Sequence, residues 1–191
     1  ALCVVQLSDG KGDAHVVRLK RPDYDCPNLK ALVSNPRVLK IFNFARFDLG
    51  MIQQWLGAPC FPVYCTKIAS RLARTYTDRH GLKDLSRELM NLDMSKAQQS
   101  SDWGADMLSD AQLAYAASDV THLHELKAKL DVMLAREGRT ELAQAAFNPI
   151  PLVGGDDARH EIEREDLLGA GGVAVDVEGD AHLEQQAIRG V

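Results

Sequence analysis

The chain has 191 residues, 46% of them hydrophobic and 26% charged, with a formal net charge of −5. That length suits one domain with a real core and is short for two, and the negative balance argues against a protein that holds nucleic acid by bulk charge alone. No apolar stretch approaches the ~20 residues of a membrane span and no charged-then-apolar leader opens the sequence, so a soluble cytoplasmic protein with no membrane partner is expected.

In chain order, Leu2-Cys-Val-Val-Gln-Leu7 and His15-Val-Val-Arg-Leu19 are β-rich runs joined by a Ser-Asp-Gly-Lys-Gly-Asp turn cluster, the signature of a hairpin. Pro27 and Asn28 precede a short helical segment through Val33, which Asn35-Pro36 closes. Val38-Leu-Lys-Ile-Phe42 reads as a buried strand, followed by a helix from about Arg46 to Leu56 that Gly57 ends. Phe61-Pro-Val-Tyr-Cys65 suggests another short strand, with Thr66 a candidate N-cap for a helix from Lys67 to about Arg74. A further helix carries Leu82, Leu85, Leu89 and Met90. Ser109-Asp-Ala-Gln112 has the form of a capping box, predicting one long helix to about Arg136.

A shorter helix is expected from Thr140 to Phe147, and then a connector at 148–157 rich in proline, glycine and acid. Ala158 to Leu168 reads as a polar helical stretch, and Val173-Ala-Val-Asp-Val177 is the last strand candidate. The domain prediction is therefore a single unit over 1–191, with 1–147 the main body, 148–157 a connector and 158–191 a segment that returns one strand to the sheet.

Chemistry concentrates in Asp48, Tyr115, Asp119, Asp176 and Glu178. Hard cations take oxygen ligands, and two dications held by shared carboxylates can clamp both the attacking and leaving oxygens of a phosphodiester cleavage. Tyr115 and Asp119 are four apart on a predicted helix, which puts them on one face with Cβ atoms about 6 Å apart. Cys3, Cys26, Cys60 and Cys65 form no Cys-x-x-Cys pair and have no nearby histidine set, so they read as reduced thiols rather than a zinc site. His15 and His80 are expected at the surface. Lys67, Arg71, Arg74, Arg79, His80, Lys83 and Arg87 form a basic stretch whose simplest reading is a solvated helix face.

Several segments match one family in family order: Leu2-Cys-Val-Val-Gln-Leu7, Asn43-Phe-Ala-Arg-Phe-Asp48, Gly81-Leu-Lys-Asp-Leu85, Ser101-Asp-Trp103 and Tyr115-Ala-Ala-Ser-Asp-Val120. Over Ala1 to about Phe147 the chain resembles the tyrosine-bearing DEDD 3′-to-5′ exonucleases, specifically ribonuclease D. The resemblance implies an α/β ribonuclease H-like fold, with a mixed central sheet flanked by helices. It also implies two Mg²⁺ or Mn²⁺ ions held by Asp176, Glu178, Asp48 and Asp119, with Tyr115 directing the attacking water. Substrate contacts would fall to Asn43, Phe47 and Val177, and Trp103 would line the groove or the core.

The family carries its Asp-x-Glu on a strand just before the Leu-Cys-Val-Val-Gln-Leu strand. Here the candidate, Asp176-Val-Glu178, stands near the opposite end, as in a circular permutant. If so, 173–177 forms a central strand antiparallel to 2–7. Val177 and Gly179 replace the hydroxyl residues usual in the family, which alters contacts to the terminal nucleotide.

The activity implied is release of nucleoside 5′-monophosphates from single-stranded RNA 3′ ends, with a homodimer as one possible assembly. The alternatives are a non-catalytic RNA-binding module on the same fold and an exonuclease acting mainly on DNA.

Overall fold

The structure, a computed structural model, describes residues 1–95 and 97–147 and the backbone of 171–177. The hairpin forms as β1 (Val4–Ser8) and β2 (His15–Arg18), antiparallel with Val5 opposite Val17. After helix α1 (Pro27–Ser34), with proline in its first turn, come β3 (Val38–Phe42) and α2 (Ala45–Leu56). Gly57, in the left-handed region at φ 61, ends α2 and returns its N–H to the carbonyl of Gln53.

Next are β4 (Val63–Cys65), α3 (Thr66–Ala73), α4 (Leu82–Met90), α5 (Asp110–Thr121), α6 (Leu123–Arg136), α7 (Thr140–Phe147) and β5 (Gly171–Val177). The five strands form one mixed sheet in the order β2-β1-β5-β3-β4. The predicted features at 148–170 lie outside the described residues.

Both faces of the sheet are covered, which the alternation of side chains along β1 makes plain. Val5 and Leu7 enter the main core with Leu123, Leu126, Leu130 and Leu134, a stripe at helical spacing along α6. The small residues Ala69, Ser70 and Ala73 face that core from α3 and let the two helices approach closely. Val4, on the opposite face of β1, packs with Trp103 and Ala116, so α5 covers the other side. Trp103 is thus a core residue.

Three expectations need correction. Thr66 is not a cap but the first residue of α3, because its hydroxyl donates to Asn43 Oδ1 at 2.9 Å instead of turning back on its own helix. The long helix is interrupted at His122, whose φ of −103 and ψ of −2 separate α5 from α6. The break lets α5 follow β1 while α6 turns to the core shared with α3 and α4.

The third correction concerns β5, which is central as expected but pairs parallel with β1, Leu7 opposite Val173. It is antiparallel to β3, with Leu39 opposite Asp176 and Val38 opposite Val177. Because β1 and β3 themselves run in opposite directions, a strand between them must be parallel to one and antiparallel to the other. The alternation of Val173, Val175 and Val177 reads the same from either end, so it specifies a buried strand without specifying its direction.

Candidate active site

β3 ends at Phe42, and Asn43 and Phe44 turn the chain into α2, whose first turn carries Asp48. That corner is pinned to the start of α3. The Asn43 carbonyl accepts from the Lys67 N–H at 3.1 Å and the Cys65 thiol at 3.4 Å, while Thr66 holds the Asn43 amide oxygen. Lys67 Nζ sits 4.2 Å over the Phe44 ring. Asn43 therefore has a scaffolding role, with its amide oxygen already engaged. Phe47 is half-buried beside Asp48 on α2.

On the other side of the site, α5 starts from the predicted capping box: the Gln112 N–H donates to Ser109 Oγ and the Ser109 N–H to Gln112 Oε1. Gln112 Nε2 also donates to the Asp102 carbonyl at 3.0 Å, tying the Ser101-Asp-Trp103 segment to the helix. One turn further, Tyr115 packs its ring 6.0 Å from that of Trp103, and Asp119 follows on the same face. Tertiary packing thus brings Asp48 and Asp119, far apart in sequence, into electrostatic contact. Burial, with the Asp119 carboxylate beside it, pushes the Asp48 carboxyl well above its ordinary range.

Burial also raises Asp119, to about 7, and among the described residues no cation is a cause that lowers either pKa. Tyr115, half-buried, is pushed up to about 12 by burial and then by the Asp119 carboxylate, so the proton stays on its phenol throughout the neutral range. Two crowded carboxyl groups that resist ionising together form a donor set suited to a divalent cation, which would remove their repulsion. Among the described residues no cluster of three or more His, Cys, Asp or Glu is assembled.

Of the other predicted ligands, Asp176 has its backbone opposite Leu39, near the start of β3. Asn43 to Asp48 follow the far end of that strand, about 10 Å along it at the ordinary rise of ~3.3 Å per residue. The side chain of Asp176 lies outside the described residues, while α2, which carries Asp48, packs against β5. Val177 lies opposite Val38, and Glu178 lies outside the described residues.

A cavity of about 330 Å³ opens beside Tyr115, lined among others by Met94, Gln98, Ala114, Ser118 and His122. Ser118 and His122 fall three and seven residues after Tyr115, so the same helical periodicity that links Tyr115 to Asp119 marks them as neighbours. Gln6 is a second residue that composition alone did not single out. It is fully buried on β1, and among the described residues neither side-chain amide atom has a partner. Its register neighbour on β5 is Gly172.

The histidines divide. His15 is exposed as expected. His80 is buried and its Nδ1 lies 2.8 Å from Ser70 Oγ, because the 74–81 loop folds back on α3. All four cysteines are free thiols, Cys65 buried and the other three half-buried. Among the described residues no helix is long and apolar enough to cross a membrane.

A family model described as a 3′-5′ exonuclease matches residues 1–135. Ribonuclease D of Gluconacetobacter diazotrophicus is 35% identical over 177 residues, which cover 88% of this chain and 44% of that protein. Ribonuclease D of Acidiphilium cryptum is 37% identical over 166 residues, covering 86% and 41%. The chain thus spans less than half the length of these curated relatives.

Among solved structures, Brucella melitensis NrnC aligns with a TM-score of 0.74 at 53% identity, covering 76% of this chain and 70% of that one. The same protein has been solved bound to pGG and with bound Mg²⁺. Escherichia coli RNase D aligns with a TM-score of 0.60 at 24% identity, covering 70% and 37%, a likeness of fold.

Proposed function

The chain belongs to the 3′-5′ exonuclease family, and on that premise we propose that it removes nucleotides from the 3′ ends of single-stranded RNA with the help of divalent cations. The observation that carries this reading is the uncompensated pair Asp48 and Asp119, with the protonated phenol of Tyr115 one helical turn away. Mg²⁺ or Mn²⁺ bound by these acids would supply Lewis-acid stabilisation of the attacking and leaving oxygens. Asp48 and Asp119 hold the cation side of the site. Tyr115 donates a hydrogen bond that orients the attacking water, and the cavity beside it has room for a nucleobase. The ligands of the Brucella melitensis NrnC structures, pGG and Mg²⁺, support a nucleic-acid substrate and a cation cofactor.

Asp176 and Glu178 are proposed for the remaining ligand positions on sequence grounds. Their side chains lie outside the described residues, so this assignment rests on the Asp-x-Glu spacing after a β-rich run. Asp176→Asn separates the cases: loss of hydrolysis comparable to Asp119→Asn supports them as ligands, and full activity removes them. The second reading is a non-catalytic nucleic-acid-binding module, which holds if these acids do not complete the site. Cytoplasmic location, on the strength of the free thiols, and a homodimer that would add affinity to a small exonuclease core remain part of the proposal.

The test is end-labelled single-stranded RNA incubated with Mg²⁺ or Mn²⁺. A ladder shortening from the 3′ end with release of 5′-monophosphates supports the enzyme, whereas binding without products supports the module. Millimolar Mg²⁺ is also expected to raise the melting temperature. Saturation at about 100 times Kd stabilises a native state by ~2.7 kcal/mol, or roughly 5–10 °C at this chain length.

The Tm increment should be larger at pH 8 than at pH 6, since protons occupy Asp119 below about 7 and compete with the cation. No shift at either pH counts against the site. Tyr115→Phe should keep this Mg²⁺-induced shift while lowering turnover by roughly 10–100-fold, in keeping with loss of one oriented hydrogen bond of ~1.5–3 kcal/mol. Unchanged turnover would remove Tyr115 from the site.

A further inference from the structure

The basic stretch between α3 and α4 does not form the evenly solvated face its composition suggests. Arg74 is completely buried. Its guanidinium donates to Ser70 Oγ at 3.1 Å and to the Arg79 carbonyl at 2.9 Å, and pairs with the Glu88 carboxylate. The 74–81 loop is drawn tight around it, with the Thr77 N–H on the Arg74 carbonyl and the Arg79 N–H on Thr77 Oγ1.

On this buried cation rests Tyr76, whose ring centroid lies 5.8 Å from Arg74 Cζ while the residue stays 72% exposed. A large aromatic is thereby held open to solvent by an anchored guanidinium under it, at little cost in ordering on contact with a ligand. Arg71 and Arg79 stand exposed in the same region, and among the described residues no carboxylate pairs with either. Asp78 is the acid within the loop. Burial first, and then the Arg74 and Arg71 guanidiniums, lower the pKa of His80, with Asp78 opposing them.

The position of this patch matters as much as its chemistry. α3 begins at the Asn43–Phe44 corner that precedes Asp48 and ends beside the loop. Eight residues at 1.5 Å each carry the chain about 12 Å from that corner, a span of a few nucleotides. Lys67 and Arg71, one turn apart on α3, mark the way.

We propose that Tyr76, with Arg71 and Arg79, is a second nucleotide subsite, where the ring stacks on a base of the single strand upstream of its 3′ end and the guanidiniums meet the adjoining phosphates. It rests on the reading of Asp48 and Asp119 as the place where the 3′ end is cleaved. Stacking on a ring is indifferent to base identity, and phosphate contacts are likewise indifferent to sequence. The subsite therefore recognises the length of a single strand rather than its sequence.

The test uses the 191-residue chain, Ca²⁺ in place of Mg²⁺ to suppress turnover, and fluorescence anisotropy with a labelled dinucleotide and heptanucleotide of RNA. The wild-type chain binds the heptanucleotide more tightly, and Tyr76→Ala reduces that preference about tenfold, the scale of one lost stacking contact. Tyr76→Phe retains it. Arg71→Gln and Arg79→Gln each lower the salt dependence of heptanucleotide binding by about 0.7 in the log–log slope.

Equal preference for the heptanucleotide in the wild type and Tyr76→Ala overturns the subsite. Failure of the cleavage reading looks different: Tyr76-dependent heptanucleotide binding, with no mononucleotide released in Mg²⁺, sustains the platform and removes the exonuclease. Mononucleotide release with a heptanucleotide KM insensitive to Tyr76→Ala does the reverse.

Discussion

Asp48→Asn is expected to lower RNA hydrolysis by roughly a thousandfold, the equivalent of about 4 kcal/mol of lost transition-state stabilisation by a displaced cation. The same substitution is expected to make the metal-free protein more stable at alkaline pH. Both effects come from one feature, the Asp48 carboxyl buried against Asp119 without a compensating cation. Asparagine keeps the shape and removes the charge, so a poorer ligand is also a better-tolerated core group.

The pH dependence follows from the direction of the shifts. Both carboxyls have folded pKa values raised above an unfolded value near 3.9. Their contribution is fully present below that value and is lost as pH rises through the folded pKa, about 7 for Asp119. Metal-free wild type should thus lose stability between about pH 4 and pH 7, and Asp48→Asn should flatten that slope.

At pH 8 the variant is expected to be the more stable of the two, with the higher Tm. At pH 4 the difference should vanish. Thermal denaturation of both proteins in EDTA over that range decides the matter. A variant less stable than wild type at pH 8, or one that keeps the Mg²⁺-induced shift, would show that Asp48 is not part of a charge-frustrated metal site.

What the sequence made legible depended on whether the signal was local. Val38–Phe42 is a run of large apolar residues broken only by Lys40, bounded by Asn35-Pro36 and Asn43, and it forms β3 with those bounds. Ser109 and Gln112 carry the whole capping box in four residues, and it forms as read. The spacing of Tyr115 and Asp119 fixed their shared face as soon as a helix was granted. By contrast, nothing around Thr121-His-Leu123 forbids helix, and the break at His122 comes from the different surfaces that α5 and α6 cover.

The direction of β5 was illegible for a related reason, since a two-residue alternation carries no arrow and only the neighbours β1 and β3 supply one. Composition also misjudged the basic stretch. Arg74 and His80 are charged or polar in sequence and buried in the fold, because Ser70 and Glu88, four residues before Arg74 and fourteen after it, converge only when α3 packs with its neighbours. Of the site, the acids and the tyrosine were visible as residue types, while the contact between Asp48 and Asp119 is a product of tertiary structure.

Arg74→Ala should be among the most destabilising single changes in the chain. It removes a fully buried guanidinium and leaves Ser70 Oγ, the Arg79 carbonyl and the Glu88 carboxylate without their donor. Loss of one partner from a buried ion pair costs ~3–5 kcal/mol, and the lower end applies because the Glu88 side chain is a third exposed and can turn to water. A loss of about 3 kcal/mol corresponds to a fall of roughly 6–12 °C in Tm.

Arg74→Met separates charge from volume: the thioether chain fills the space but donates nothing, so it should recover part of the loss while still freeing the 74–81 loop. Glu88→Gln, at the wet end of the pair, should cost about 1 kcal/mol or less. Strict additivity of Arg74→Ala and Glu88→Gln would mean the guanidinium is held by packing alone. Because Tyr76 rests on Arg74, both Arg74 variants should also weaken heptanucleotide binding at temperatures where they remain folded, which ties the stability of this corner to its use as a surface.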